Sequence, residues 1–280
     1  MLWRIDDWDD AYANGPNIPD GSAWPERWVG PAAAFRSQAL AAKTARTDLS
    51  YGDGARHRFD LFLPEASPKG LFVFLHGGFW MRLDKSYWSH LAAGPLARGW
   101  AVAMPSYTLA PDVRIAEITA EIGASIACAA AGISGPIVLA GHSAGGHLAT
   151  RMMCQTSPLP ADLRGRVAHT LSISGVHDLR PLRRTGLNDT LHIDAQEALR
   201  ESPALLEPVA DVRLTCWVGA AERSEFLRQN ALLANIWKGC GAATACVEEP
   251  DRHHFNVIDG LGDPDSTMLR HVLDPLGQQA

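Results

Sequence analysis

Val138-Leu139-Ala140-Gly141-His142-Ser143-Ala144-Gly145-Gly146 sets a serine between two glycines at the end of an apolar run. A strand that turns sharply into a helix leaves no room for side chains two positions either side of its apex, so Gly141 and Gly145 bracket Ser143 in the form of a nucleophile elbow. The flanks agree with this. Pro136 to Ala140 reads as a strand, and Ala144 to Met153 continues in small and apolar residues without proline, as a helix does. The plainer alternative is a glycine-rich turn with an incidental serine, so the choice rests on whether partners for the hydroxyl exist.

Working outward, apolar runs of strand length alternate with helical stretches. Strands are expected at Phe59 to Leu63, Leu71 to Leu75, Trp100 to Met104, Ile137 to Ala140, Val167 to Ile173, Thr215 to Val218 and Thr244 to Val247. Helices are expected at Lys85 to Arg98, Ile115 to Ala131, Ala144 to Cys154, Asp194 to Arg200, Glu225 to Lys238 and Asp265 to Leu273. Such alternation predicts an α/β fold, a mostly parallel sheet covered by helices on both faces. Ligands bind beyond the carboxyl ends of the strands in such sheets. The elbow falls there.

A serine hydroxyl is a weak nucleophile at neutral pH and needs a general base, itself oriented by a third group. In this architecture the chain order is Ser, then Asp or Glu, then His. Glu222 follows the strand that ends at Gly219, and Asp251-Arg252-His253-His254-Phe255 follows further on. The candidate triad is Ser143, Glu222 and His254. His253 is the alternative base, because neighbours in an extended loop point in opposite directions. Glu225 and Asp211 are the alternative acids, the first placed to open a helix and the second lying before its strand rather than after it. A tetrahedral intermediate also needs N–H donors for its oxyanion. The run Leu71 to Leu75 leads into His76-Gly77-Gly78-Phe79-Trp80, which offers the amides of Gly78 and Phe79 together with that of Ala144. His76 lies one residue past the strand and suits a loop-bracing role better than that of a second base.

With these residues in view, the chain resembles the hormone-sensitive-lipase-like branch of the α/β-hydrolases, and within it the kynurenine formamidase (arylformamidase) group. His76-Gly77-Gly78-Phe79-Trp80, Asp84-Lys85-Ser86, Pro105-Ser106-Tyr107 with Leu109-Ala110-Pro111, Gly141 to His147, Ser174 to Arg180 and His254-Phe255 carry the likeness in sequence order across about residues 50 to 260. The resemblance implies a metal-free, cofactor-free hydrolase acting on an N-formyl aromatic amide. The group's substrate is N-formylkynurenine, which yields formate and kynurenine in tryptophan catabolism. A general carboxylesterase is the alternative. Two positions depart from the usual pattern: Glu222 stands where aspartate is commoner, and Phe79 where tyrosine is. His76, Gly77, Trp80, Trp88 and His142, which flank the two glycine-rich turns, are expected to contribute to the substrate site.

Composition narrows the class. At 280 residues and 46% hydrophobic, the chain can bury roughly three-quarters of its unfolded surface around one core. A net charge of −6 lacks the basic footprint of a nucleic-acid partner. No apolar run reaches membrane-spanning length, and the acidic start Arg4-Ile5-Asp6-Asp7 does not read as a secretory signal. A cytoplasmic enzyme with a small-molecule aromatic amide or ester substrate, as monomer or homodimer, is the expectation. Five cysteines with no C-x-x-C pair and scattered histidines give no disulfide framework or metal-ligand cluster to expect.

Residues 1–50 stand apart, carrying Trp3, Trp8, Trp24 and Trp28 among Pro16, Pro19, Pro25 and Pro31, then a short expected helix from Ala32 to Ala42. Four tryptophans in so short a stretch call for burial away from water. Either they pack an arm onto the catalytic domain of residues 51–280, or they form a cap whose aromatic faces, with Phe79, Trp80 and Trp88, receive a planar substrate. Arg180, Arg183 and Arg184 are available either to a substrate carboxylate or as solvated charges.

Overall fold

The structure, a computed structural model, describes residues 4–277. Its strands are β1 (Ala45–Ser50), β2 (Arg58–Phe62), β3 (Leu71–Leu75), β4 (Ala101–Pro105), β5 (Ile137–His142), β6 (Val167–Ile173), β7 (Arg213–Gly219) and β8 (Ala243–Glu249). They form one sheet in the order β1-β2-β4-β3-β5-β6-β7-β8. Only β2 runs against the rest: it pairs antiparallel with both β1 and β4, and every other pairing is parallel. The helices are α1 (Trp8–Tyr12), α2 (Trp24–Ala41), α3 (Ala93–Ala97), α4 (Ile115–Ala130), α5 (Ala144–Arg151), α6 (Ala161–Arg166), α7 (Asn188–Leu191), α8 (Ala195–Arg200), α9 (Ser224–Gly239) and α10 (Thr267–Gly277). This is the α/β-hydrolase fold.

The period-2 geometry of a strand explains why the central runs are apolar throughout. Leu71, Val73 and Leu75 of β3 point into a core shared with Ile115, Ile118 and Ile122 of α4, Leu148 of α5 and Phe226 of α9. Phe72 and Phe74 point the other way, into a core with Trp28 of α2, Trp88, Trp100 and Leu269 of α10. A strand buried on both faces has no solvent side to mark with polar residues.

Three expectations are corrected. β1, Ala45-Arg46-Thr47-Asp48-Leu49-Ser50, is a sheet strand, so the N-terminal arm gives way to the sheet before residue 50. The sequence does not mark it, because an edge strand with alternating half-buried and exposed residues carries no apolar run. α2 begins at Trp24 rather than Ala32: Pro25 occupies the first turn, where a missing N–H costs nothing, and Pro31 lies on the exposed face. Trp28, Ala32 and Ala39 make its buried stripe. The helix expected over Lys85 to Arg98 divides into a 3-10 stretch, Lys85–Ala92, capped by Asp84, and the short α3.

No helix among the described residues is long and apolar enough to cross a membrane. The five cysteines are free thiols.

Candidate active site

β5 delivers Ser143 with φ 56° and ψ −115°. A non-glycine residue in such a sparsely populated region stores about 1–3 kcal/mol. The apex is pinned by its N–H, which donates to the Ile173 carbonyl at 2.8 Å, and by its carbonyl, which accepts from His147 N at 3.1 Å. The flanking glycines are required by space. A Cβ on Gly141 would lie 2.1 Å from the Gly145 carbonyl oxygen, and one on Gly145 would lie 1.9 Å from that of Leu75.

The acid and the imidazole come from the ends of β7 and β8. The two loops are pressed together at Gly219, where a Cβ would meet the Arg252 carbonyl oxygen at 2.3 Å. Ala221 N donates to Arg252 O at 2.9 Å across the same seam. His254 Nδ1 and Glu222 Oε2 stand 2.7 Å apart, with Glu222 fully enclosed. The other carboxylate oxygen, Oε1, accepts from Gly219 N at 2.9 Å and from the Ser174 hydroxyl. The carboxylate is thus held on both sides, and Nδ1 must carry the shared proton, which leaves Nε2 as the basic nitrogen. His142 donates Nε2–H to the His254 carbonyl at 2.8 Å. Burial, then the neighbouring His254 ring, holds the His142 pKa well below the usual imidazole value.

His253 is engaged elsewhere. Its ring stands edge-on to Trp24 with centroids 5.0 Å apart, and its Nδ1 accepts from Phe255 N at 3.2 Å. Glu225 is buried and takes the Tyr12 hydroxyl at 2.8 Å and the Arg228 guanidinium. Asp211 is exposed at the opposite end of β7.

Gly78, Phe79 and Trp80 follow one another at φ 112°, 50° and 59°, which turns the chain sharply past the elbow. Among the described residues no group accepts from the N–H of Gly78, Phe79 or Ala144. Phe79 and Ala144 are nevertheless almost fully buried. Free amide donors in a buried corner beside Ser143 are what an oxyanion requires.

Ser143 and His254 both line a cavity of about 760 Å³, with Gly78, Phe79, Trp88, His142, Phe255 and Arg82. That volume suits a small organic molecule. About half of the wall comes from the N-terminal arm, including Tyr12, Asn14, Pro16, Pro25 and Trp28. Packing accounts for most of the segment's aromatic residues: Trp24 lies against Trp28, His253 and Phe255 and does not line the cavity, whereas Trp28, 5% exposed and packed on Trp88 at 5.2 Å, also faces it. Trp3 lies outside the described residues. Trp8 sits beneath the Arg184 guanidinium, away from the cavity. Neither Arg180, paired with Asp178 at 2.8 Å, nor Arg183 or Arg184 lines the cavity.

Of the residues expected at the substrate site, Trp88 and His142 line the cavity, while His76, Gly77 and Trp80 do not. His76 is sealed beneath the turn, stacked on Tyr107 at 4.3 Å, and donates Nδ1–H to the Gly77 carbonyl at 2.7 Å. Gly77 is a spacer whose absent side chain keeps clear of the Ser143 Cβ, 3.2 Å from where its own would be. Trp80 is fully buried with its face or edge toward His147, 5.1 Å between centroids. The left-handed turn sends that indole inward, a direction that adjacency in sequence does not disclose. The sequence gives no site role to Ser174, Tyr12, Asn14 or Arg82, since a lone serine, tyrosine, asparagine or arginine carries no pattern.

The buried histidines make stability depend on pH. Burial, the largest cause in each case, lowers the pKa to about 4 for His76 and about 3 for His147 and His177. Unfolded, each ring takes a proton below about pH 6.5, whereas in the fold it stays neutral. The unfolded state therefore binds more protons as pH falls from about 6.5 toward 3–4, and native stability declines through that window. Thermal melts are expected to lose up to about 4 kcal/mol per pH unit between pH 6 and 5 from these three rings. A melting temperature that stays level from pH 7 to pH 5 would contradict their burial as neutral groups.

Residues 72–275 match the model of the alpha/beta hydrolase family. The kynurenine formamidase of Danio rerio is 27% identical over 242 residues, covering 82% of each chain. A crystal structure of a candidate thioesterase from Silicibacter sp. superposes with a TM-score of 0.89 at 50% identity, over 94% of this chain and 97% of its own. Esterase B from Lactobacillus rhamnosis, at 19% identity and a TM-score of 0.64 over 92% of this chain and 94% of its own, shares the fold. The chain is a hydrolase, and it belongs to the alpha/beta hydrolase family.

Proposed function

We propose that the protein is a serine hydrolase that cleaves N-formyl aromatic amides, with N-formylkynurenine as the substrate that fits it best. The observation that carries this reading is the Glu222–His254 pair opening, with Ser143, into a cavity walled by Trp28, Phe79, Trp88 and Phe255. A planar aryl amide finds flat apolar faces there. Similarity to the Danio rerio kynurenine formamidase along four-fifths of both chains supports the same substrate.

In this mechanism His254 Nε2 takes the Ser143 proton, and the alkoxide adds to the formyl carbon. The amides of Gly78, Phe79 and Ala144 hold the resulting oxyanion. Glu222 stabilises the imidazolium. The C–N bond then breaks as His254 returns the proton to the leaving arylamine, which departs as kynurenine. A water deprotonated by the same ring attacks the formyl-enzyme, formate leaves, and the Ser143 hydroxyl is restored. The residues supply this chemistry without a metal.

A thioester or ester substrate is the second reading, favoured by the 50% identity to the Silicibacter candidate thioesterase. One assay separates them: N-formylkynurenine, p-nitrophenyl acetate and a short acyl-CoA thioester measured side by side. The formamide is expected to give a kcat/KM at least about ten-fold above the other two, since a ten-fold preference needs only about 1.4 kcal/mol of differential transition-state binding. Faster turnover of the ester or thioester would replace the formamidase reading.

A further inference from the structure

We propose that Arg82 is a specificity residue that binds a carboxylate on the substrate, so that the enzyme selects anionic substrates; this rests on the hydrolase reading above and deepens it. Among the described residues Arg82 is the sole lysine or arginine lining the cavity. Other arginines near the site are committed: Arg228 to Glu225, Arg223 to Asp10, and Arg56 to the carbonyls of Tyr107 and Leu83. Among the described residues, by contrast, no carboxylate pairs with the Arg82 guanidinium and no acceptor takes its hydrogen bonds.

The backbone beneath it is fixed. Met81 N donates to Gly78 O at 3.1 Å, and the Arg82 carbonyl sits where a Gly78 Cβ would be, 2.2 Å from it. The following carbonyl, of Leu83, is held by Arg56 Nη2 at 2.6 Å. Arg82 thus springs from the same tight turn that carries the Gly78 and Phe79 amides. Its Cζ lies 5.9 Å from the Phe79 ring centroid, within the range of a cation–π contact that orients the guanidinium.

Of the two acids lining the cavity, one is matched by a cation and the other keeps its charge while tied to the backbone. Asp20 is paired with Arg27 at 3.1 Å, and Asp9 accepts the Gly186 amide at 2.7 Å. In a chain of net charge −6, one unpaired guanidinium at the cavity gives an incoming anion its local attraction. A guanidinium also matches a carboxylate through two parallel N–H bonds, a geometry that an ammonium does not reproduce.

The test is a ratio of specificities. kcat/KM is measured for N-formylkynurenine, which bears a carboxylate, and for formanilide, the same anilide bond without one, in the wild type, Arg82→Gln and Arg82→Lys. Arg82→Gln is expected to lower the ratio of charged to neutral substrate at least about ten-fold, mainly through KM, and Arg82→Lys to restore part of it. A ratio unchanged in Arg82→Gln would overturn the proposal, whatever the variant does to both substrates together. The ratio for 4-acetoxybenzoate over phenyl acetate reads Arg82 in the same way. Should the wild type leave both formamides intact, the formamidase reading alone would fail and this second pair would still decide the role of Arg82.

Discussion

Ser143→Ala is expected to lower kcat/KM by about four to six orders of magnitude, since residues of a nucleophile–base unit fail together rather than in part. The fold should survive, because the apex is held by main-chain bonds to Ile173 and from His147 that an alanine keeps. Alanine at φ 56° inherits the strain of serine, so the melting temperature should hardly move. Ser143→Gly makes the complementary case: equally inactive, yet more stable by about 1 kcal/mol, because glycine takes that conformation without penalty. Activity within ten-fold of wild type in either variant would remove Ser143 from the mechanism, and a destabilised glycine variant would contradict the strained elbow.

Glu222→Gln is expected to cost about 10³–10⁴-fold in kcat, the scale seen when a triad acid loses its charge but keeps its shape. The amide turns an N–H toward Nδ1, or else gives up its bonds to Gly219 N and the Ser174 hydroxyl, and neither choice leaves His254 in the right tautomer. Glu222→Asp is the more telling substitution. Aspartate is one methylene shorter and cannot satisfy the Gly219–Ser174 side while also reaching the imidazole, so kcat should fall by at least about a hundred-fold even though the charge is retained. Near wild-type kcat for the aspartate variant would show that the loop adjusts freely and that the Ser174 contact is incidental.

The parts of the molecule that could be read from sequence are those in which one residue type has one reason to be there. β3 starts and stops where its apolar run does, because both faces are buried. The elbow glycines were legible because nothing larger fits between β5 and α5. β1 was not, since its pairing with β2 is an edge pairing dominated by main-chain bonds, and its side chains alternate without an apolar signal. The first turns of α2 were hidden because Pro31 reads as a breaker, and only the tertiary setting shows that it lies on the solvent side. His76 and Trp80 illustrate a different limit. Spacing brought them to the oxyanion turn, but the sign of φ at Gly78, Phe79 and Trp80 decides which side chains face the cavity, and no composition rule encodes that sign. The Ser174–Glu222 contact depends on β6 and β7 lying side by side, information that resides in topology rather than in either segment.

The arm that precedes β1 supplies much of the cavity wall and none of the proposed reacting groups; it is clamped to α9 through Tyr12, Glu225 and Gln229 and through Asp10 on Arg223. Cutting machinery and about half of the receiving surface therefore occupy separable stretches of one polypeptide. Descent could remodel the first forty-odd positions to admit new molecules while the alcohol, imidazole and carboxylate stayed untouched, and an engineer exchanging that leader between homologues would be grafting appetite without altering chemistry.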